Sequence, residues 1–361
     1  MRNPVPFSIA AIAAVMLDGV GAAAFGQDVV PAVGSASSGM ASSAPVPDFS
    51  GLWAHPFYPG FELPLSGPGP VTNRSRIRQF LDNDGRPRAP GTKPLLVDHP
   101  SQQVGDYTNP ILKSDAAEIV KKHGELELSG KGHPTPWTEC WPSAVPFIFE
   151  NVAMQILQRP DKITILYGSN EVRHVHMDRP HPAQLTPSWY GDSVGHYEGD
   201  ALVIDTVGIK SDRPVAMVDL YGTPYTKALH VVERYRLLDY DATNEALERV
   251  ATKNFRLPPV TIGVDVDPNY RGKGLQLQFT VEDEGVFTTP WSATITYRRG
   301  INSQGSDKLG EGVCAENPHL YYAGRDADVP TATKPDFRAA NDGFISPHDQ
   351  HGDHRCDGVS S

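Results

Sequence analysis

Short β-branched or alternating runs, cut by turn residues, fill the middle of the chain. Val152–Gln158, Lys162–Tyr167 and Glu171–Met177 are divided by Arg-Pro-Asp and Gly-Ser-Asn, the pattern of strands joined by tight turns. Ala201–Val207, Leu229–Leu237, Leu247–Lys253, Leu275–Val281 and Ser292–Arg298 continue it, with no convincing helical period between them. Sequential strands without long crossovers predict antiparallel pairing. Closing such a meander into a barrel removes the exposed sheet edges. The pattern therefore predicts an all-β fold, one antiparallel barrel from about residue 140 to 320. Residues 48–139 are rich in Pro and Gly and predict long loops wrapped over it. One helix is predicted there, over Ser114–Lys122, with acid at its start and base at its end.

The chain ends read differently. Arg2 precedes an apolar stretch from Phe7 to Ala24, and Ala24-Phe25-Gly26 places small residues before Gln27. That is the pattern of a secretory signal peptide over residues 1–26, and Asp18 argues against a membrane anchor. Export to the periplasm or beyond is expected, with no later run of spanning length. Residues 27–47 form a Ser/Ala/Gly/Pro linker that cannot bury a core. Residues 48–337 make a single barrel domain, and 338–361 a polar tail with His348, His351 and His354.

Composition narrows the possibilities. The 33 Gly and 33 Pro in 361 residues work against a helical bundle. A net charge of −11 does not gather phosphate backbones, so nucleic-acid binding is not expected. Only three Cys are present, which excludes a disulfide-dense scaffold and a Cys-built metal domain. In an oxidising compartment Cys140 and Cys314 could staple the two ends of the patterned region, leaving Cys356 over. Three unpaired thiols are the alternative.

Several motifs are shared with a known group. Asp48-Phe49-Ser50-Gly51-Leu52-Trp53, Cys140-Trp141-Pro142 and Arg179-Pro180-His181-Pro182 are three of them. The longest runs from Gly191 to Thr206, GDSVGHYEGDALVIDT, followed by Leu229-His230-Val231-Val232-Glu233-Arg234 and Cys314-Ala315-Glu316-Asn317. Over roughly residues 48–320 the chain resembles an uncharacterised family of secreted bacterial proteins. The resemblance implies a lipocalin-like β-barrel and carries no reaction with it. Tyr197-Glu198-Gly199-Asp200 stands where the family usually has Trp-Glu-Gly-Asp. His174 and His176 are usually absent from it, and residues 256–274 look like an insertion.

Candidate chemistry collects between residues 173 and 234. Glu198-Gly199-Asp200 reads first as a turn. Asp205 shares a strand face with Val203 and Val207, opposite Leu202 and Ile204, so it must be hydrogen-bonded or protonated. His174 and His176 share one face, the spacing of a strand-built metal pair, but no third ligand follows in sequence; no metal or other cofactor is expected. The prolines around His181 fix a loop that suits a general acid or base. Arg173 could hold an oxyanion, while an Arg179–Asp192 pair would make the same loop a latch. On the predicted strand Leu229–Leu237, His230 and Arg234 share a face suited to a polar lumen, opposite Glu233. Gly191–Gly195 lacks the strand–turn–helix setting of a nucleophile elbow.

Two functions fit. In one, the protein is a cofactor-independent lyase or isomerase acting on a small apolar or phenolic ligand in a barrel cavity. His181, His230, Arg173, Asp192 and Asp205 would do the chemistry, and Arg179, Arg234 and His196 would bind substrate. In the other, it binds a hydrophobic small molecule without turnover. The cluster of ionisable groups favours the enzyme, since a carrier needs few of them.

Overall fold

The computed structural model describes residues 46–56, 60–74, 104–129, 132–168, 171–253, 264–302 and 304–310. The expected signal segment, most of the expected linker, Cys314 and the His-containing tail lie outside them. Among these residues there are ten strands: β1 (Gly51–Ala54), β2 (Ala153–Gln158), β3 (Lys162–Tyr167), β4 (Val172–Met177), β5 (Asp192–Glu198), β6 (Ala201–Val207), β7 (His230–Leu238), β8 (Val264–Val266), β9 (Gly274–Glu282) and β10 (Trp291–Asn302). Neighbours run β1-β2-β3-β4-β5-β6-β7-β9-β10, and β1 pairs with β10 to close nine strands into a barrel. Trp53 stands opposite both Met154 of β2 and Arg299 of β10. Strand β8 hangs on β10 outside the ring.

One pairing departs from the antiparallel expectation. Strands β4 and β5 run parallel, with His176 opposite Val194. Residues 178–191 make this possible, because a parallel pair needs a connection of roughly a dozen residues or more. That Pro-rich loop crosses over instead of turning back.

Alternation along each strand decides what faces inward. In β3 it is Ile163, Ile165 and Tyr167; in β7 it is Val231, Glu233 and Tyr235. The apolar members join Trp53, Ile156, Ile204, Phe279 and Trp291 in one continuous cluster. Burying each large apolar side chain contributes about 1.5–3 kcal/mol.

Among the described residues three α-helices accompany the strands. Helix α1 (Ser114–Leu128) extends the predicted segment and buries Ala116, Val120, His123, Gly124 and Glu127 at helical spacing. It packs beside the turn at Gly222, whose φ is +74° and where any Cβ would strike the His123 ring. Helix α2 (Pro136–Glu139) starts from a Thr135/Thr138 capping box with Pro136 behind it. Helix α3 (Tyr240–Lys253) overturns the strand expected over Leu247–Lys253. Asp239 accepts from the Ala242 backbone N–H at 2.8 Å, and the buried Thr243, Ala246 and Val250 recur at helical spacing. The apolar period here is nearer four residues than two, and it becomes visible only when the window begins at Thr243.

Candidate functional site

The outer face of β5, β6 and β7 gathers the charged groups. In β6, Leu202 and Ile204 face the core, so Asp205 faces out. In β7, Val231 and Glu233 face in, so His230 and Arg234 face out. The polar-lumen pairing of His230 with Arg234 is thereby corrected: both lie outside the barrel, because their odd-numbered neighbours fill it. Asp205 stands opposite Val194 of β5 and Val232 of β7. Asp192 and His230 are then its diagonal neighbours on one face, within reach of long side chains.

The crossover loop supplies the next member. It leaves β4 through Asp178, at φ 54°, and carries Arg179, Pro180, His181 and Pro182 back over the sheet. His181 Nδ1 lies 2.7 Å from Asp192 Oδ2, and its Nε2 lies 3.1 Å from Asp205 Oδ1. His230 Nε2 lies 3.1 Å from the same Asp205 Oδ1. The remaining His230 nitrogen, Nδ1, is 3.5 Å from Glu282 Oε2. Arg179 donates to Asp192 Oδ1 at 2.7 Å, which is the latch contact considered from the sequence.

The result is a row of alternating charge: Arg179, Asp192, His181, Asp205, His230, Glu282. A neutral imidazole has one N–H, so the four nitrogen–carboxylate contacts are all satisfied only when both rings are protonated. The hydrogen bond from His230 holds the Asp205 carboxyl below its usual range; desolvation opposes this and His181 adds to it. The bond to Asp205 holds His230 above its usual value, against desolvation. The signs define a window. The His230 contribution to stability is fully present below its unfolded pKa of about 6.5 and is lost as pH rises through the raised folded value. The Asp205 contribution is lost as pH falls through its depressed folded value. The bridge is intact between the two.

Asp205→Asn should therefore return the His230 imidazole titration, followed by NMR, toward about 6.5. An unchanged titration curve would show that Asp205 does not set it.

Other expected site residues sit elsewhere. Arg173 faces the barrel interior with its side chain wholly buried, as does that of Glu233. Its Nη1 donates to Glu233 Oε2 at 2.8 Å and its Nη2 to Oε1 at 2.5 Å. Ser193 accepts from its Nε and Thr206 from its Nη2, and the Tyr235 hydroxyl donates to Glu233. Arg173 is thus sealed away from the His181–His230 face, in conflict with a role on substrate. Burial alone would lower its pKa; Glu233 more than offsets that and holds it above the ordinary value.

His196 and Arg234 converge on Glu198 at the β5–β6 turn, where Gly199 has φ 61°. The Arg234 bond, then that of His196, lowers the Glu198 pKa. His174 and His176 are exposed on the outer face of β4, and His174 approaches Thr164. Among the described residues no group of three or more His, Cys, Asp or Glu is arranged to hold a metal ion. No helix among them is long and apolar enough to cross a membrane.

Glu282 and Glu233 are not among the site residues that the sequence suggests. A signal for Glu233 exists: a single acid on an otherwise apolar strand face needs a buried cation, and Arg173 shares its face with Val175 and Met177. Glu282 gives none, since it ends a strand among other acids. Comparison with family models, curated proteins and solved structures finds no match to this chain.

Proposed function

We propose that the protein is an exported, cofactor-independent acid–base enzyme of the lyase or isomerase type, acting on a small apolar or phenolic substrate at the outer face of β5–β7. The observation that carries this is the double use of Asp205 Oδ1 by the Nε2 atoms of His181 and His230. A carboxylate on one ring nitrogen orients an imidazole and favours its protonated form, leaving the other nitrogen to exchange protons. At His181 both nitrogens are within hydrogen-bond distance of carboxylates. At His230 the Nδ1 atom is the loosest contact, and Glu282 beside it is half exposed. His230 Nδ1 is therefore the atom that takes a substrate proton and returns it, to another atom in an isomerisation or to the leaving group in an elimination. Asp205 orients it, and His181 is a positioning residue that shares the carboxylate.

The test is a panel of hydroxylated and phenolic compounds assayed for turnover across pH. A base must be neutral to act, so the rate should rise with pH through an inflection above about 6.5. Saturable binding with no turnover on any member would leave the binding-protein alternative in place.

Export brings the cysteines with it. Cys140 ends α2 in a left-handed conformation, at φ 52°. We expect non-reducing peptide mapping of the exported protein to recover a Cys140–Cys314 cross-link; recovery of both peptides as free thiols would remove it.

A further inference from the structure

At the β6–β7 connection two cations stand without a carboxylate among the described residues. Arg213 is 2% exposed, and its Nη2 donates to the nearby Val215 carbonyl at 3.2 Å. Its Nε and Nη1 are buried and have no hydrogen-bond partner among those residues. Its guanidinium carbon lies 5.1 Å from the centre of the Trp189 ring, and Lys210 Nζ lies 5.0 Å from the same centre. Trp141 packs on Trp189 with ring centres 5.1 Å apart and is itself partly exposed.

The acids bonded to the flanking Tyr190 and Trp141 have other donors. Glu171 receives the Ser143 backbone N–H and the Tyr190 hydroxyl, and Glu139 receives the Trp141 indole N–H. An indole face attracts a cation but accepts none of the guanidinium hydrogens in their own plane. Buried charged donors left unpaired are costly, and a protein of net charge −11 has acids to spare for them. Leaving these two cations unpaired next to two indoles is the arrangement that suits a ligand with one negative end and one flat apolar body.

We propose that Arg213 and Lys210, with Trp189 and Trp141 as apolar walls, bind a small organic anion of the arene carboxylate class. The carboxylate takes the free Arg213 donors, Lys210 adds a second charge, and the ring lies against the indoles. Trp189 stands on the same crossover loop as His181, so the ligand touches the segment that carries the positioning residue of the proposed site. The binding itself is independent of any turnover there.

Benzoate titrated into the full chain at fixed ionic strength, followed by tryptophan fluorescence, tests this. Saturable binding is expected, with benzamide at least tenfold weaker because it lacks the charge. Arg213→Met should weaken benzoate at least tenfold. Should that variant fail to fold, Lys210→Met, at a less buried position, should weaken it several-fold. Chloride and sulfate arms separate the sources of negative charge. If either binds as well as benzoate and displaces it, the organic class is wrong. If benzamide matches benzoate, or neither variant changes the affinity, the site itself is wrong.

Discussion

His230→Ala should lower turnover on a confirmed substrate by about 10² to 10⁴-fold while the fold stays intact. The imidazole projects from the outer face of β7 and is partly exposed, so its removal leaves the packed residues Val231 and Glu233 in place. The loss should fall mainly on kcat, because proton transfer is made in the transition state and not in substrate binding. The rate inflection above about 6.5 should vanish with the ring. His181→Ala should keep that inflection but move it, since Asp205 would then serve one imidazole instead of two. Thermal unfolding of each variant guards against misfolding. Folded variants that both retain the wild-type rate would remove the proton-transfer site from this face.

Glu233→Ala should cost the protein about 3–5 kcal/mol, because it leaves Arg173 as a buried charge without its counter-ion. The two side chains are fully buried and joined by two parallel hydrogen bonds, so bulk solvent does not screen the charge that Glu233 leaves behind. Ser193 and Thr206 keep two contacts with the guanidinium but bring no charge. The shift should be read as a lower urea midpoint at unchanged slope. If Glu233→Ala does not fold at all, Glu233→Gln should show a smaller loss, since it keeps one acceptor. Arg173→Met combined with Glu233→Leu should recover most of the stability, because an apolar pair carries no desolvation penalty. A loss below about 1 kcal/mol in Glu233→Ala would be that of an exposed pair and would contradict the burial.

Most of the ring is legible in the sequence because period-two alternation states which side chains share a face. Val152–Gln158, Lys162–Tyr167 and Ala201–Val207 fall within a residue of β2, β3 and β6. Strand β5 does not separate from the motif that contains it, because Gly191, Gly195 and Gly199 look like turns when read alone. Two of them do bound the strand at positive φ, and Gly195 lies inside it against Met177 and Val175, where a larger residue would collide. The site divides the same way. His181, Asp192, Asp205 and His230 can all be named from the sequence, and the structure brings them together, three of them through one shared carboxylate oxygen. What alternation does not say is which of two faces is the inside. Asp205 and Glu233 lie on opposite sides of neighbouring strands, and the choice depends on the curvature of a closed sheet, a property of all nine strands at once. For the same reason Arg173 reads from the sequence as a cation for substrate when its place is in the core.

Closure also fixes when the protein can finish folding. Trp53, near the start of the described chain, stands opposite Arg299, near its end. No ring exists until the ribosome has passed residue 299, and contacts so distant in sequence form slowly. Between the completion of β10 and its pairing with β1, both strands are open edges, each with an unpaired row of backbone donors and acceptors. A second nascent copy presents the same two edges. The join that seals one barrel is therefore also the place where two unfinished chains can exchange strands, and association at high expression should depend on concentration during synthesis more than on the stability of the finished protein.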